Sequence, residues 1–436
     1  MAEGRFAPGH LGELTRIVSF DLVDAALETT RTVQRRVRVL PSRVVVYLLL
    51  GGVLFAGLGY RQVWARLVAG LDLAGVADPG SSALSQALRR VGPAPLRELF
   101  DLLKGPAVGA ARWRGLLVCA IDGTSLYVPN SDANAAVFGR QTGRPDAPAG
   151  YPALRLLTVV ACGTRTVVDA VFGPSAIGET TYAPTLVRSL RQGMLLLADR
   201  NFAAVTLIDQ IATTGAELLI RCKDGRALPP IAYLPDRSWL ARIGAVTVRV
   251  IDARIEVRLG ADGARRTGRY RLITTLTDEK RYPAHELVEL YHQRWEIETS
   301  YLELKSTILG DRVLRATTPG GITQEVYALL ITYQAIRTAL ADTALTQTGV
   351  TPDRLSFTVA MHTARDQVVR AAEALADTAI DLVGRIGHAV LLQPLPARRT
   401  RSCPRVVKRA ISKHRAKGDI DRTNHTTSIT IEILDG

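Results

Sequence analysis

Between residues 115 and 222 the chain alternates short apolar runs with amphipathic stretches. Five runs have the length and composition of buried strands: LLVCAI, LRLLTVVAC, TVVDAVF, MLLLA and AELLIRC. Two stretches on either side of MLLLA predict helices: TYAPTLVRSLRQ and AAVTLIDQIATTG. The resulting order is strand, strand, strand, helix, strand, helix, strand. This order restricts the segment to an α/β domain, because strands that alternate with helices place those helices on the faces of one sheet.

Outside this segment the periodicity changes. Residues 223–270 include GAVTVRVIDARIEVRLG, whose alternation predicts hairpin strands and therefore a β-rich insertion into the α/β domain. The pattern is helical before and after this domain. The predicted organisation has four parts: a helical N-terminal domain (1–112), the α/β domain (113–310), a helical C-terminal part (311–395) and a basic tail (396–436).

Two aspartates stand at the ends of predicted strands. Asp122 follows LLVCAI directly, and Asp199 follows MLLLA. Either aspartate alone is consistent with a turn or a helix cap. An apolar strand that ends in Asp also delivers its carboxylate to the edge of the sheet where open α/β sheets place their sites.

The segment ELYHQRWEIETSYLELKSTIL (289–309) belongs to a predicted long helix that opens at Pro283 and ends near Gly310. Its four glutamates raise two alternatives. Arg294 and Glu298, at i and i+4, are typical of an ordinary ion-pair ladder on a helix surface. One carboxylate can instead belong to a catalytic site together with the two strand-end aspartates.

Helix phasing separates these glutamates. At about 100° per residue, one narrow face holds four residues: Tyr291, Arg294, Glu298 and Lys305. The far side holds the other three glutamates: Glu289, Glu296 and Glu303. Alanine at Glu296 or Glu303 is therefore expected to be nearly silent. Glu298, Asp122 and Asp199 together offer three oxygen donors, which suit Mg²⁺ or Mn²⁺.

Charge and cysteine usage limit the partners and the compartment. The formal net charge of +14, carried mostly by arginine, indicates an anionic partner and favours nucleic acid. The four cysteines form no CxxC pair, which predicts free thiols in a reducing compartment. The uncharged run from Val44 to Tyr60 falls short of a membrane span and contains four glycines, so we expect a buried core helix and no membrane partner.

Three motifs are similar to those of one known family. The Y-R-E-K signature of bacterial insertion-sequence-4 transposases has the spacing seen here for Tyr291, Arg294, Glu298 and Lys305. IDGT at Asp122 and ADRNF at Asp199 resemble that family's first and second catalytic-acid motifs, in the right order. The resemblance covers about residues 30–340 and includes the β-rich passage before the glutamate. The tail beyond Arg398 has no counterpart in this pattern.

The resemblance implies a DDE transposase. Its catalytic domain would be a ribonuclease H-like mixed sheet with flanking helices, interrupted by the β-rich insertion. Asp122, Asp199 and Glu298 would form the acidic triad that holds two Mg²⁺ or Mn²⁺ ions. The residues expected to contact DNA are Tyr291, Arg294, Lys305, Arg200 and Trp239. Trp239, with Trp295 as the rival, would stack on a displaced base, although a core position is the usual one for tryptophan.

The implied reaction is metal-dependent cleavage of the element's ends and strand transfer into target DNA, with or without a hairpin intermediate. The implied partners are double-stranded DNA, both terminal inverted repeats and target, and a second copy of the chain in the synaptic complex. The N-terminal domain would bind the DNA ends, and the protein would work in the bacterial cytoplasm on the nucleoid. Two alternatives remain: a ribonuclease H-like nuclease without strand transfer, or an inactive DNA-binding repressor derived from a transposase.

Overall fold

The fold is that of a computed structural model, which describes residues 10–34, 38, 40–69, 78–140, 150–223, 225–259, 265–370, 384–395 and 427–435. The chain begins with five helices: α1 (Phe20–Thr29), α2 (Ser42–Leu54), α3 (Tyr60–Val68), α4 (Ser81–Val91) and α5 (Ala94–Leu103). The helical pattern predicted for this region is therefore confirmed at the level of its elements.

The α/β segment has the predicted order of elements. Its strands and helices are β1 (Arg112–Trp113), β2 (Leu116–Tyr127), α6 (Asp132–Phe138), β3 (Ala153–Ala161), β4 (Val167–Pro174), α7 (Glu179–Val187), β5 (Met194–Ala198), α8 (Val205–Thr213) and β6 (Glu217–Cys222). Two short additions, β1 and α6, are the elements that the apolar runs did not indicate. The α/β fold class is confirmed.

The remaining elements follow the predicted change from strand to helix. The insertion contains β7 (Ala232–Tyr233), β8 (Trp239–Ile243), β9 (Val246–Leu259) and β10 (Arg265–Thr274). The helices after it are α9 (Ala284–Tyr291), α10 (Trp295–Leu302), α11 (Pro319–Leu345), α12 (Phe357–Arg370) and α13 (Gly384–Leu391). A last strand, β11 (Thr427–Ile433), lies in the segment predicted as a basic tail. Most of that segment lies outside the described residues.

The predicted single helix from Pro283 to Gly310 is wrong in detail. A 3₁₀ turn, His292–Arg294, separates α9 from α10, and a π-helical stretch, Glu303–Ile308, follows α10. The chain also divides into two compact units whose boundary falls at this 3₁₀ turn, between Gln293 and Arg294. Constant phasing at 100° per residue therefore does not hold across the whole segment.

The first unit comprises Met1–Ser189 and Arg294–Leu395. Helix α11 packs against α2 and α5, and 12 of the 13 residues of α2 are buried, so this apolar helix is internal to the unit. The uncharged run beginning at Val44 is thus a core helix, as predicted. No helix among the described residues is long and apolar enough to cross a membrane.

The sheet of the first unit is antiparallel. Strand β2 pairs with both β1 and β3, and β3 pairs with β4. Residues 117–121 of β2 are buried, whereas 122–125 are partly exposed. Asp122 therefore lies inside β2 rather than at its end, which corrects the predicted strand boundary. Asp122 is the first partly exposed residue after the buried run 117–121.

The second unit comprises Leu190–Gln293 and Pro396–Gly436. Strands β5 and β6 are parallel, and β6, β10, β9, β8 and β7 then pair antiparallel in that order. Strand β11 pairs with β9 along its second half, Ala253–Leu259. Among the described cysteines, Cys119 and Cys162 of the first unit and Cys222 of the second are buried thiols, as predicted.

Candidate active site

Two predicted acids of the first unit converge on one cation. The guanidinium of Arg294 lies 3.4 Å from Oδ2 of Asp122 and 2.9 Å from Oε1 of Glu298. The Arg294 side chain is 13% exposed, Asp122 is 20% exposed and Glu298 is 39% exposed. The pair at i, i+4 is therefore not a solvated surface ladder, because a third charged group from β2 completes it. The structure brings Asp122 and Glu298 to the two terminal nitrogens of the same guanidinium.

Lys305 contacts β2, the strand that carries Asp122. Its Nζ is 3.3 Å from Oγ1 of Thr124, and Thr124 shares a face of β2 with Asp122 because the two are separated by one residue. Lys305 belongs to the π-helical stretch that follows α10. The predicted grouping of Arg294, Glu298 and Lys305 on one side of the helical segment is thus present within the first unit.

Tyr301 connects the two acid-bearing elements, and the sequence did not single it out. Its hydroxyl donates to the backbone carbonyl of Asp122 and lies 2.9 Å from Oγ1 of Thr158, the cross-strand neighbour of Asp122. A phenol has one proton, so Thr158 must be the donor to Tyr301. Burial raises the pKa of Tyr301 well above its usual value, which keeps this donor protonated. The hydroxyl therefore fixes α10 against β2 beside Asp122.

Another acid, Glu179, lies beside Gly123, the residue that follows Asp122. Oε1 of Glu179, the first residue of α7, is 3.0 Å from Nη1 of Arg155. A Cβ built on Gly123 would fall 2.5 Å from the same Oε1. The absence of a side chain at Gly123 is therefore what admits the Glu179 carboxylate beside β2. The GE pair at 178–179 is an ordinary helix start by sequence, and only the fold places it here.

The remaining predicted acid lies in the second unit. Asp199 directly follows β5, and its carboxylate accepts a hydrogen bond of 2.7 Å from the backbone N–H of Asn201, capping a short 3₁₀ turn. Arg200, next to it, is exposed. The Tyr291 hydroxyl donates to the carbonyl of Ala198 at 3.0 Å, and Tyr291 is 8% exposed. Within this unit the signature tyrosine thus anchors α9 at the strand end that carries Asp199.

The two tryptophans considered for base stacking differ in exposure. Trp239 on β8 is 4% exposed, and its indole N–H donates to the carbonyl of Leu228 at 2.9 Å. Trp295, the first residue of α10, is 53% exposed, and the Arg294 guanidinium lies 6.0 Å from its ring centre. Trp239 therefore occupies the core position usual for tryptophan, whereas the ring of Trp295 is accessible.

The two far-side glutamates of the first unit are not solvated. Glu296 is 4% exposed and Glu303 is 6% exposed, and both form ion pairs with Arg165. Glu303 also pairs with Arg337 of α11. This burial contradicts the expectation that alanine at Glu296 or Glu303 would be nearly silent. Glu303→Ala removes the carboxylate that pairs with buried Arg337, and Glu296→Ala removes one of the two carboxylates that pair with buried Arg165. Glu289, in the second unit, is exposed.

Two carboxylates of the first unit offer oxygen donors of the kind that bind divalent ions. Within the described ranges, no group of three or more His, Cys, Asp or Glu side chains is placed to hold a metal. Asp122 and Glu298 nevertheless present carboxylate oxygens to a common positive charge, that of Arg294. Oxygen donors of this kind are the ligands that Mg²⁺ and Mn²⁺ prefer.

The family of the chain follows from comparison with known sequences. Residues 113–335, more than half of the chain, match the transposase DDE domain model, and residues 8–101 match the model of the insertion element 4 transposase N-terminal region. The chain therefore belongs to the DDE transposases of the insertion-sequence-4 family. It is an enzyme of DNA transposition, and membership of this family implies dependence on a divalent metal.

Two sequence relatives from Escherichia coli agree with this assignment. The transposase InsG for insertion sequence element IS4 of Escherichia coli (strain K12) is 27% identical over 414 residues, which cover 89% of this chain and 90% of InsG. The putative transposase InsZ of the same organism is 29% identical over 132 residues, 29% of this chain and 44% of InsZ. A solved structure, the cryo-EM piggyBac transposase synaptic complex with hairpin DNA, is 10% identical with a TM-score of 0.45, covering 88% of this chain and 84% of that one.

Proposed function

We propose that Asp122, Asp199 and Glu298 are the catalytic acids with which this transposase cleaves the ends of its element and joins them to target DNA. The observation that carries the proposal is the convergence of Asp122 and Glu298 on Arg294, at 3.4 and 2.9 Å. The two ion pairs bring carboxylates from different elements, β2 and α10, to one place, which a metal-dependent site requires. Asp199 joins them by its motif, ADRNF, and its place directly after β5.

The same three carboxylates are proposed to hold the metal, as two Mg²⁺ or Mn²⁺ ions. Bound there, the ions would activate the attacking oxygen and stabilise charge on the departing one. Arg294 balances the charge of Asp122 and Glu298. We propose that its guanidinium turns to a DNA phosphate on binding, since a planar fork pairs with phosphate as well as with carboxylate.

Further contacts to DNA are assigned to residues beside these acids. Lys305, on the line of β2, would hold a phosphate as a point charge. Arg200 is exposed next to Asp199 and would contact the same DNA strand as Lys305. Tyr291 is proposed to contact DNA only through its ring edge, because its hydroxyl is bonded to Ala198. For a displaced base we favour the accessible Trp295 over the buried Trp239.

The proposed reaction is cut-and-paste transposition. Water breaks a phosphodiester bond at the element's end and leaves a 3′-hydroxyl. In the hairpin route, that hydroxyl attacks the opposite strand, releasing the flanking DNA, and a second water reopens the hairpin. The 3′-hydroxyl finally attacks a target phosphodiester, so that one bond forms as one breaks. In each step, side chains of the protein orient the phosphates. Such positioning of the reacting groups lowers the barrier to displacement at phosphorus.

Assembly and location follow from the reaction. Two ends of one element must be cut together, so we propose a homodimer in the synaptic complex, with the 1–112 region binding the terminal inverted repeats. The protein would act in the bacterial cytoplasm, on the nucleoid. Light scattering with and without end duplexes would report the change in mass on synapsis.

The acid assignment is tested by amide substitutions, which keep the shape of each side chain. Asp122→Asn, Asp199→Asn and Glu298→Gln are each expected to abolish cleavage of duplexes taken from the DNA that flanks the gene, while end binding in a gel-shift assay persists. Glu289→Gln, an exposed glutamate on α9, is the matched control and should cleave normally. Cleavage by any one of the three variants at the wild-type rate would remove that residue from the site.

Strand transfer is tested separately. Pre-cleaved end duplexes and a supercoiled target plasmid are incubated with Mg²⁺, and the joined product is mapped on sequencing gels. Joined product supports transposase chemistry at these residues, and a hairpin band on denaturing gels identifies the hairpin route. Persistent cleavage without any joined product would instead assign this chain as a nuclease.

A further inference from the structure

Arg165 is an arginine placed by an unusual backbone conformation. It lies in the turn between β3 and β4, where its φ is +60°, a left-handed value that side-chain-bearing residues other than Asn and Asp rarely adopt. Gly163, two residues earlier, has φ +83°. The Arg165 side chain is only 6% exposed, so the turn directs a charged group into the interior. A strained backbone conformation persists only where the surrounding structure holds it, and such residues are common at functional sites.

The buried guanidinium contacts both ends of α10. Nε of Arg165 lies 2.5 Å from Oε2 of Glu296, in the first turn of the helix. Nη1 lies 3.0 Å from Oε1 of Glu303, the residue directly after its last turn. The two glutamates are seven residues apart and therefore share one face of the helix. A single side chain thus holds both the beginning and the end of α10.

Glu303 also contacts the long internal helix α11. Nε of Arg337 on α11 is 3.0 Å from Oε2 of Glu303, and the Tyr333 hydroxyl donates to the same oxygen at 3.1 Å. Arg337 and Tyr333 are fully buried. Two arginines and two glutamates balance in charge, which a buried group of this kind requires. We name Arg165, Glu296, Glu303 and Arg337 the buried clamp.

Glu298 lies on the opposite side of the same helix. It is two residues after Glu296, which rotates it by about 200° from the clamp face towards β2. We propose that Arg165 is a positioning residue that fixes α10 and thereby sets the Glu298 carboxylate opposite Asp122. The proposal rests on the catalytic role of Glu298 proposed above. Buried ion pairs are poor sources of stability but define one geometry, which is what a catalytic carboxylate needs.

The test compares four variants of the full-length protein. Arg165→Gln removes the charge, Arg165→Lys keeps it but pairs with one carboxylate at a time, and Glu303→Gln breaks the clamp from the other side. Glu325→Gln is the matched control, because Glu325 is a buried glutamate of α11 that pairs with Arg315 and not with the buried clamp. Each variant is measured for thermal unfolding, end-duplex affinity, single-turnover cleavage and amide hydrogen exchange in residues 295–302.

Positioning predicts a specific pattern well below the unfolding midpoint. Arg165→Gln and Glu303→Gln should bind end duplexes as the wild type does, yet cleave slower by on the order of 100-fold. The amides of 295–302 should exchange faster in both variants, and Arg165→Lys should recover part of the rate. Glu325→Gln should lower the unfolding midpoint without changing cleavage or exchange in 295–302.

The outcomes separate this proposal from the proposed function. Wild-type cleavage and exchange in Arg165→Gln, or the same changes in Glu325→Gln, would overturn the clamp. If Arg165→Gln does not fold, Arg165→Lys and Glu303→Gln give the same comparison. Should Glu298→Gln cleave at the wild-type rate, the catalytic assignment fails, and exchange in 295–302 still decides whether Arg165 fixes α10.

Discussion

A single hydroxyl, that of Tyr301, joins the helix that carries Glu298 to the strand that carries Asp122. Tyr301→Phe removes the donor to the Asp122 carbonyl and leaves Thr158 without its acceptor. We expect a loss of about 1–3 kcal/mol in the free energy of unfolding. Cleavage should fall further than this loss explains, because α10 can then shift against β2. Denaturant unfolding and single-turnover cleavage measure the two effects.

The N-terminal helices provide a matched control for Tyr301→Phe. The Tyr47 hydroxyl also donates to a backbone carbonyl, that of Val18, at 2.7 Å, and Tyr47 is fully buried. Tyr47→Phe should cost a similar free energy of unfolding but leave the cleavage rate of the folded protein unchanged. Equal effects of both variants on cleavage would show that Tyr301 contributes stability alone.

Gly123 offers a second test at the scale of one residue. Its backbone conformation suits any residue, but an added Cβ would fall 2.5 Å from Oε1 of Glu179. Gly123→Ala should therefore displace the Glu179–Arg155 pair and slow cleavage, and adding Glu179→Ala should restore part of the rate by making room. Gly320→Ala, where nothing lies within 4 Å of the new Cβ, is the control and should cleave normally. A double variant no faster than Gly123→Ala would contradict this account.

At the scale of elements, five strands and two helices between residues 115 and 222 were predictable because each forms a distinct apolar or amphipathic run, whereas β1 and α6 are too short to show one. The break between α9 and α10 was not, since HQR contains neither proline nor glycine. The burial of Glu296 and Glu303 was also beyond local pattern. Their partner Arg165 lies 131 and 138 residues away in sequence, and only the fold makes them neighbours.

The insertion sheet contains an ion group that predicts a pH dependence. Asp252 on β9 is fully buried and pairs with Arg269 and Arg271 on β10. Burial alone raises the pKa of Asp252, but the hydrogen bonds and charges of Arg271 and Arg269 outweigh it, and the pKa is lowered. A lowered folded-state pKa stabilises the fold above the unfolded value of about 3.9, and this stabilisation is lost as pH falls through the folded value.

Asp252→Asn should therefore destabilise the second unit most near neutral pH and least in acid. The measurement is the denaturant midpoint of both proteins between about pH 6 and pH 2.5, where their difference should shrink as pH falls. Glu432→Gln on β11 removes an exposed pair with Arg254 and should change the midpoint little at any pH. A pH-independent difference for Asp252→Asn would argue for packing rather than charge.

At the scale of the whole molecule, the net charge of +14 agrees with a protein whose partner is DNA. Spacing in the sequence predicted the grouping of Arg294, Glu298 and Lys305, and motif order selected Asp122, which pairs with Arg294. The site role of Asp199 stays a prediction. The positions of Tyr301, Glu179 and Arg165 were not predictable. Each depends on contacts with residues that are distant in the sequence. The sequence therefore indicated the residues that are expected to contact DNA and metal. It did not indicate the residues that position those side chains.

Much of the positive charge lies in the segment RRTRSCPRVVKRAISKHRAKGDIDR, which begins at Arg398, upstream of β11. Replacing its lysines and arginines by glutamine keeps β11 and its pairing with β9, which a truncation would remove. If these side chains bind phosphates, the slope of log K against log salt for a random duplex should become shallower by about 0.9 for each phosphate that the variant no longer neutralises. Fluorescence anisotropy at a series of salt concentrations measures this slope.

The same variant also separates nonspecific from specific binding. Phosphate contacts carry no sequence information, so affinity for end duplexes and for random duplexes should fall by the same factor. Cleavage of bound ends should continue, because the ion pairs of Asp122 and Glu298 with Arg294 are formed by β2 and the start of α10. An unchanged salt slope would leave the segment without a role in DNA binding, and a decrease in affinity confined to end duplexes would assign it to recognition of the terminal repeats instead.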